Sequence, residues 1–202
     1  MTPQRGSNWP GISAAKTIDL HAHVVLEKTL GAAGRFGPEV GFDDSGKPWF
    51  RIGDYYLHGV QYRGSPFMDV DCRLKRMADA GIDFQVLSPN PLTYFHHVDA
   101  PEAVSFCERH NDALAELVSL HPKALGGLAA LPMQDPIAAR AELRRAVRDL
   151  GLWGACIGTN FPGRSLHDRD FDALYGEFVD LDVPLFSIHH PRVSMARPVT
   201  RT

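Results

Sequence analysis

The sequence has few cysteines and no excess of charge of either sign. Its 202 residues include three cysteines, Cys72, Cys107 and Cys156, which are far apart and odd in number. Such a set predicts neither a disulfide framework nor a zinc knuckle, and it fits a reducing compartment. Twenty-one basic residues oppose 24 acidic ones, for a formal net charge of −3. The sequence therefore shows no electrostatic footprint for nucleic acid or an anionic membrane surface.

Long apolar runs are also missing. No stretch reaches the ~20 apolar residues that a membrane span needs, and the first residues lack the apolar middle of a secretory signal. The sequence contains no P-loop and no nucleophile-elbow serine. With 44% hydrophobic and 22% charged residues, the composition is that of a globular protein. We therefore expect a cytoplasmic protein without a membrane or nucleic-acid partner.

From residue 17 onward, strand-like and helix-like patterns alternate. Helices are predicted in between five strands, at residues 17–25, 84–88, 128–131, 154–158 and 184–190. This alternation is typical of βαβ units in a parallel sheet. A doubly wound open sheet usually has a glycine-rich turn after its first strand, but this chain has His21-Ala22-His23 there. The pattern favours an α/β fold of the (β/α)8 TIM-barrel type, with about the first five βα units present.

Three segments are expected around this pattern. Residues 1–16 are polar and predict a flexible N-terminal arm, and residues 192–202 predict an irregular tail. Residues 17–191 form the partial barrel. Within it, residues 27–68 are a long loop after the first strand, with a short hairpin around Asp44–Lys47. The pair His96-His97 is expected in a solvated loop.

Two histidines mark the end of the first predicted strand. Side chains two apart in a strand share a face, so His21 and His23 point the same way, with Asp19 on that face too. Two imidazoles at a strand end form half of a site for Zn²⁺ or a similar divalent ion, although one packed and one exposed histidine would give the same sequence. One histidine of the pair His189-His190, after the fifth strand, can face the interior as a third ligand. Otherwise the pair simply closes the strand.

Together these motifs resemble the amidohydrolase superfamily, and most closely its decarboxylase branch, typified by aminocarboxymuconate-semialdehyde decarboxylase. The similar stretches are residues 18–23, 44–51, 76–88, 128–136, 150–160 and 183–191. The resemblance implies a metal-dependent barrel with one Zn²⁺, or another single divalent metal, bound by His21, His23 and His190. Within His190-Pro191 the match prefers His190 over His189 as ligand. The resemblance also implies that Arg51 binds a substrate carboxylate.

The resemblance implies a metal-dependent non-oxidative decarboxylase, a carboxy-lyase, of a small unsaturated or aromatic carboxylic acid. Residues 153–159 contain no lysine that could bridge two metals, which is consistent with a single ion. A hydrolase of a lactone or amide on the same scaffold is an alternative. The proton-transfer histidine and the ligand aspartate of the family are expected beyond Thr202. A catalytically incomplete fragment or a binding module is therefore a further alternative. Because the family is often dimeric, a homodimer is also implied.

Overall fold

The computed structural model describes residues 12–159, 161 and 163–189. Alternating strands and helices make up most of this part of the chain. The strands are β1 (Ile18–Val24), β2 (Glu39–Phe42), β3 (Pro48–Ile52), β4 (Tyr55–His58), β5 (Phe84–Pro89), β6 (Leu125–Gly127), β7 (Ala155–Gly158) and β8 (Leu185–Ile188). The α-helices are α1 (Val70–Asp79), α2 (Ala100–Leu120), α3 (Pro136–Arg148) and α4 (Asp172–Leu181).

Five of the strands are parallel and follow one another in space as they do in the chain. β1, β5 and β6 form one ladder, and β7 pairs with β8 in another. A parallel bridge between Ala129 and Ala155 joins the two groups. This order confirms the predicted α/β architecture, in which successive βα units build part of a barrel. The carboxyl ends of the parallel strands consequently lie on one side.

Two of the four helices, α1 and α3, begin at an aspartate whose side chain caps the first turn. The side chain of Asp69 accepts a hydrogen bond from the backbone N–H of Cys72 at 2.8 Å, and that of Asp135 accepts from Ile137 and Ala138, both at 3.0 Å. Such caps contribute about 1 kcal/mol each. Ile137 of α3 is 84% exposed although it is a large apolar residue. That residue lies in the first turn, before the helix packs against its neighbours.

The third parallel strand lies earlier than the sequence predicts. It is formed by Leu125–Gly127, and of residues 128–131 only Leu128, whose N–H donates to Leu87 O, and Ala129, which bridges to Ala155, extend the pairing. Two glycines conceal it from a propensity argument. The ring of Trp153 covers Gly126 so closely that an added Cβ would meet it at 2.8 Å. Glycine is therefore required by packing, although it weakens the strand signal.

A buried side chain takes the place of ladder bonds at Ala130, three residues after β6. Asn111 Oδ1 accepts from the N–H of Ala130 at 2.8 Å, and its Nδ2 donates to the Ala130 carbonyl at 2.9 Å. Nδ2 also donates to Glu142 Oε1 at 2.6 Å. The amide thereby satisfies backbone groups that would otherwise be buried without partners, and it ties α2 and α3 to the sheet.

Residues 27–68 are ordered and are not the irregular loop that the sequence suggests. β2, β3 and β4 form an antiparallel sheet, and the predicted hairpin is present, with Asp43 N–H donating to Lys47 O at 2.9 Å. The inner face buries Phe50 and Ile52, and Phe50 stacks on Tyr62 with ring centroids 4.3 Å apart. The strands have only four or five residues, too few for the alternation to be recognised.

The segment before β1 is packed from residue 12. Ile12 and Ala15 contact the apolar cluster that contains Phe84 and Trp153, and the Asp83 carboxylate accepts from the N–H groups of Lys16 and Thr17 at 2.8 and 2.9 Å. Residues 12–16 thus belong to the folded body, whereas the rest of the predicted arm and the tail at 192–202 lie outside the described residues. Within the described part, no helix has the length and apolarity to cross a membrane.

Candidate metal centre

The two histidines of β1 meet at their Nε2 atoms. Nε2 of His21 lies 3.0 Å from Nε2 of His23, and the rings are nearly perpendicular at 84°. Two nitrogens bound tetrahedrally to one zinc ion, at about 2.0–2.1 Å each, are about 3.3 Å apart. The observed separation is slightly shorter and is that of a hydrogen bond between the rings, so a small movement of the rings would give the spacing of neighbouring ligands on one ion. His21 is exposed and His23 is half-buried, so one side of the pair is open.

Hydrogen bonds set the tautomer of His23. Its Nδ1 lies 2.9 Å from Ser88 Oγ and 3.1 Å from the carbonyl oxygen of Pro89. A carbonyl oxygen only accepts, so Nδ1 carries the hydrogen and Nε2 keeps its lone pair. Burial, together with the neighbouring His21, lowers the pKa of His23 below its ordinary value, which favours the neutral ring. A backbone carbonyl on the far nitrogen is a common support for a metal-binding histidine.

A register shift in β1 determines where the histidines point. Asp19 pairs with Gln85, but Ala22 already pairs with Leu87, so β1 has one residue more than β5 in this interval. His23 pairs with Ser88. Because Gln85 and Ser88 are three apart on one strand, their side chains and those of their partners lie on opposite faces. The prediction that Asp19 shares the histidine face is therefore wrong, since a β-bulge separates them.

A buried polar chain lies behind His23. The Ser88 hydroxyl lies 2.9 Å from Nδ1 of His23, the Cys156 thiol lies close to Ser88, and the Tyr94 hydroxyl lies 3.1 Å from Cys156 Sγ. All three side chains behind His23 are at least 95% buried. Burial raises the pKa of both Cys156 and Tyr94. The thiol is consequently a protonated hydrogen-bonding group and not a nucleophile.

An aromatic cluster lies beside these buried polar side chains, and the sequence analysis did not predict it. His96 is half-buried, parallel to Tyr94 with centroids 5.6 Å apart and 4.3 Å from Phe161. The expectation of a solvated loop pair is wrong for His96, whereas His97 is exposed. The aromatic run from Tyr94 to His97 was the available signal. The rings of Tyr94, His96 and Phe161 pack against one another and form an aromatic cluster at this point.

The third predicted ligand is not located. His190 lies outside the described residues, and His189 directly follows β8 as an exposed residue. In the described ranges, no group of three or more histidine, cysteine, aspartate or glutamate side chains is arranged to hold a metal. The structure brings together His21 and His23, and the role of His190 stays a prediction.

Arg51 is engaged within the antiparallel sheet. Its Nε donates to Glu39 Oε2 at 3.0 Å, its Nη2 pairs with the other carboxylate oxygen, and its Nη1 donates to the carbonyls of Arg35 and Gly53 at 3.0 and 2.7 Å. The Glu39 carboxylate raises the pKa of Arg51. A guanidinium held by a carboxylate in this bidentate way has the geometry for carboxylate recognition, but here Glu39 takes that place.

The structure combines parallel βα units with two adjacent imidazoles near the carboxyl end of the first strand. This combination is typical of metal-dependent barrel enzymes. The family described as Amidohydrolase matches residues 18–201. The chain belongs to this family.

Curated relatives include decarboxylases. The chain is 37% identical over 182 residues to gamma-resorcylate decarboxylase of Rhizobium radiobacter, covering 87% of this chain and 50% of that protein. It is 31% identical over 173 residues to 2-amino-3-carboxymuconate-6-semialdehyde decarboxylase of Dictyostelium discoideum, covering 84% and 47%. The chain thus spans about half the length of these relatives.

Solved structures agree in fold. A dihydroxybenzoic acid decarboxylase from Polaromonas sp., with bound manganese and the inhibitor 2-nitroresorcinol, superposes with a TM-score of 0.66 at 29% identity and covers 86% of this chain and 49% of its own. The 2,6-dihydroxybenzoate decarboxylase from Rhizobium gives a TM-score of 0.64 at 30% identity, with coverages of 84% and 48%. These neighbours have the barrel fold that the sequence predicts.

Proposed function

We propose that this chain acts in a metal-dependent non-oxidative decarboxylase of a small unsaturated or aromatic carboxylic acid. The observation that carries the proposal is the pair of Nε2 atoms 3.0 Å apart on β1, in a chain 37% identical to a gamma-resorcylate decarboxylase. An aromatic hydroxy acid is the first substrate class to test, because two of the structural neighbours are named for dihydroxybenzoates.

The residues fit a single divalent ion. His21 and His23 would hold it, with His190 as the proposed third ligand, and the Pro89 carbonyl keeps Nε2 of His23 free to bind. When bound, such an ion acts as a Lewis acid toward a substrate oxygen. Zinc follows from the family resemblance, and manganese is the other ion to test because the Polaromonas structure contains it. A homodimer and a cytoplasmic location likewise rest on the resemblance and on composition.

Decarboxylation breaks the bond between a ring carbon and the carboxylate and releases CO₂, and the electron pair left on that carbon takes up a proton from an acid or from water. The ring must therefore be held flat and in a fixed position while its carboxylate leaves. His96 and Phe161, whose ring centroids are 4.3 Å apart, offer apolar faces for this purpose. His96 is parallel to Tyr94, whose hydroxyl lies 3.1 Å from the Cys156 thiol, and the Ser88 hydroxyl that contacts His23 lies close to that thiol.

Arg51 is the proposed ligand of a substrate carboxylate. In the structure its fork holds the Glu39 carboxylate. The role therefore requires that the substrate carboxylate displace Glu39, or that it use the remaining N–H of the guanidinium. Only displacement of Glu39 would give the substrate carboxylate the bidentate fork, since the remaining N–H alone makes a single hydrogen bond.

The proposal is tested by product analysis. With Mn²⁺ or Zn²⁺ and 2,6-dihydroxybenzoate, we expect CO₂ release and formation of resorcinol, both suppressed by a chelator and by His21→Ala. The replacement of an exposed histidine, His58→Ala, is the control and should keep the activity. Hydrolysis of lactones or amides without CO₂ release would contradict the proposal and favour the hydrolase. Metal binding with turnover of neither class would favour the incomplete fragment or binding module.

A further inference from the structure

Three side chains connect the two ends of the His21-Ala22-His23 segment on the side away from the imidazoles. Asp19 Oδ1 accepts from the backbone N–H of His21 at 2.9 Å, and Asp19 Oδ2 accepts from Gln85 Nε2 at 2.9 Å. Gln85 Oε1 accepts from Arg73 Nη1 at 2.9 Å, and Arg73 Nη2 donates to the carbonyl oxygen of His23 at 2.6 Å. We name this the Asp19–Gln85–Arg73 chain. It begins and ends on the backbone of the two candidate ligands.

The position of Arg73 is unusual for a charged side chain. It projects from α1 toward β1 and is only 6% exposed. Its immediate partners are a neutral amide, that of Gln85, and a backbone carbonyl. The nearest negative charge in this hydrogen-bonded chain is that of Asp19, which binds the other end of the Gln85 amide. A buried cation is costly, and an apolar residue of similar volume is often at least as stable. The nearby interior residues Met77 and Leu87 show that apolar packing is available at this interface.

The Arg73 cation lies beside the bulge of β1. The extra residue of β1 interrupts the ladder between Asp19 and Ala22, and a bulge leaves backbone groups that need other partners. Asp19 provides an acceptor for His21 N–H within the interrupted interval, and Arg73 provides a donor for His23 O just beyond it, where pairing with β5 has resumed. Without these contacts the segment could regain regular pairing. A one-residue slip would then turn side chains of this segment to the opposite face.

We propose that the Asp19–Gln85–Arg73 chain is a positioning device, which holds the bulge of β1 in the register that brings the His21 and His23 rings to one point. The proposal rests on the proposed function in so far as that point is the metal site. Its effect is preorganisation, because ligands fixed by their surroundings need no ordering when a cation binds. The three residues touch neither metal nor substrate in this role and act through the backbone of the histidines.

The test uses the complete 202-residue chain and two variants, Arg73→Met and Gln85→Met, which keep volume but interrupt the chain of hydrogen bonds. The first readout needs no metal. Wild type should show a nuclear Overhauser contact between the ring protons of His21 and His23, and both variants should lose or weaken it. The second readout is the affinity for Zn²⁺ or Mn²⁺ in competition with a chromophoric chelator, which should fall by about 10- to 100-fold in both variants.

Arg144→Met is the matched control. Arg144 is also a helical arginine with a buried partner, since its Nε donates to Glu177 Oε1 at 2.8 Å between α3 and α4. This variant should lose stability but keep both the ring contact and the metal affinity. If Arg73→Met does not fold, Gln85→Met, which removes no charge, provides the test.

Folded Arg73→Met or Gln85→Met protein with the wild-type ring contact and affinity would overturn the positioning role. The same loss in Arg144→Met would overturn it too, because the effect would then be one of general stability. A third outcome is that the wild type shows the ring contact but binds no divalent ion, while the variants lose the contact. This result would refute the metal site but support the positioning role.

Discussion

His23→Ala is expected to weaken the binding of Zn²⁺ or Mn²⁺ by about 100-fold or more. The substitution removes one of two imidazole nitrogens that lie 3.0 Å apart. Changes to the groups that merely orient a ligand already cost 10–100-fold in affinity, and the loss of the ligand itself should exceed that range. His21→Ala should act in the same way, since its Nε2 faces the same point.

The affinity is measured by competition with a chromophoric chelator at pH 7.5, where neutral imidazoles predominate. His58→Ala is the control, because His58 is an exposed residue of β4 that stacks on Tyr56. It should bind metal as wild type does. Equal affinity in His23→Ala and wild type would mean that the ion binds elsewhere, and the role of the β1 pair would have to be abandoned.

Between pH 7 and pH 4.5, the free energy of unfolding is expected to fall in both the wild type and His110→Leu. The decrease should be about 2 kcal/mol larger in the wild type. His110 lies on α2, is 1% exposed and has no hydrogen-bond partner at Nε2. Burial lowers its pKa to about 4, whereas a histidine in the unfolded chain titrates near 6.5.

The direction follows from the proton count. Between about pH 6.5 and pH 4 the unfolded state has protonated His110, while the folded state keeps the ring neutral. Stability due to this group is therefore complete above pH 6.5 and falls as the pH is lowered toward 4. Leucine at this position removes the titration and leaves an apolar side chain among its apolar neighbours.

Urea unfolding curves at several pH values measure the effect. His167→Leu, at an exposed position, should retain the pH dependence of wild type. The interpretation fails if His110→Leu loses as much stability on acidification as wild type does, since other groups would then account for the whole slope.

Much of the fold could be predicted because local signals agree with the tertiary structure. Asp69 and Asp135 are good caps in any context, and both begin helices. The alternation of strands and helices predicted parallel βα units, and the observed strand order confirms it. The closeness of His21 and His23 also followed from their spacing, although the strand that carries them contains a β-bulge and is not regular.

The rest depends on contacts between distant residues. Nothing in Ile18–Val24 marks one residue as extra, because the bulge is defined by pairing with β5 and by Gln85 and Arg73. Gly126 gives no strand signal because glycine has a low strand propensity. Glycine is required there because the ring of Trp153 occupies the space that a Cβ would need. Arg51 has the composition of a carboxylate ligand, but only the fold reveals that Glu39 already occupies its fork.

X-ray absorption spectroscopy of the metal-loaded chain tests the central claim most directly. If His21 and His23 bind the ion together, Zn²⁺-loaded protein should show at least two imidazole nitrogens at about 2.0–2.1 Å, with the outer-ring scattering typical of histidine, and His23→Ala should remove one of them. A coordination shell of oxygen atoms alone in the wild type, or an unchanged spectrum in His23→Ala, would contradict the claim.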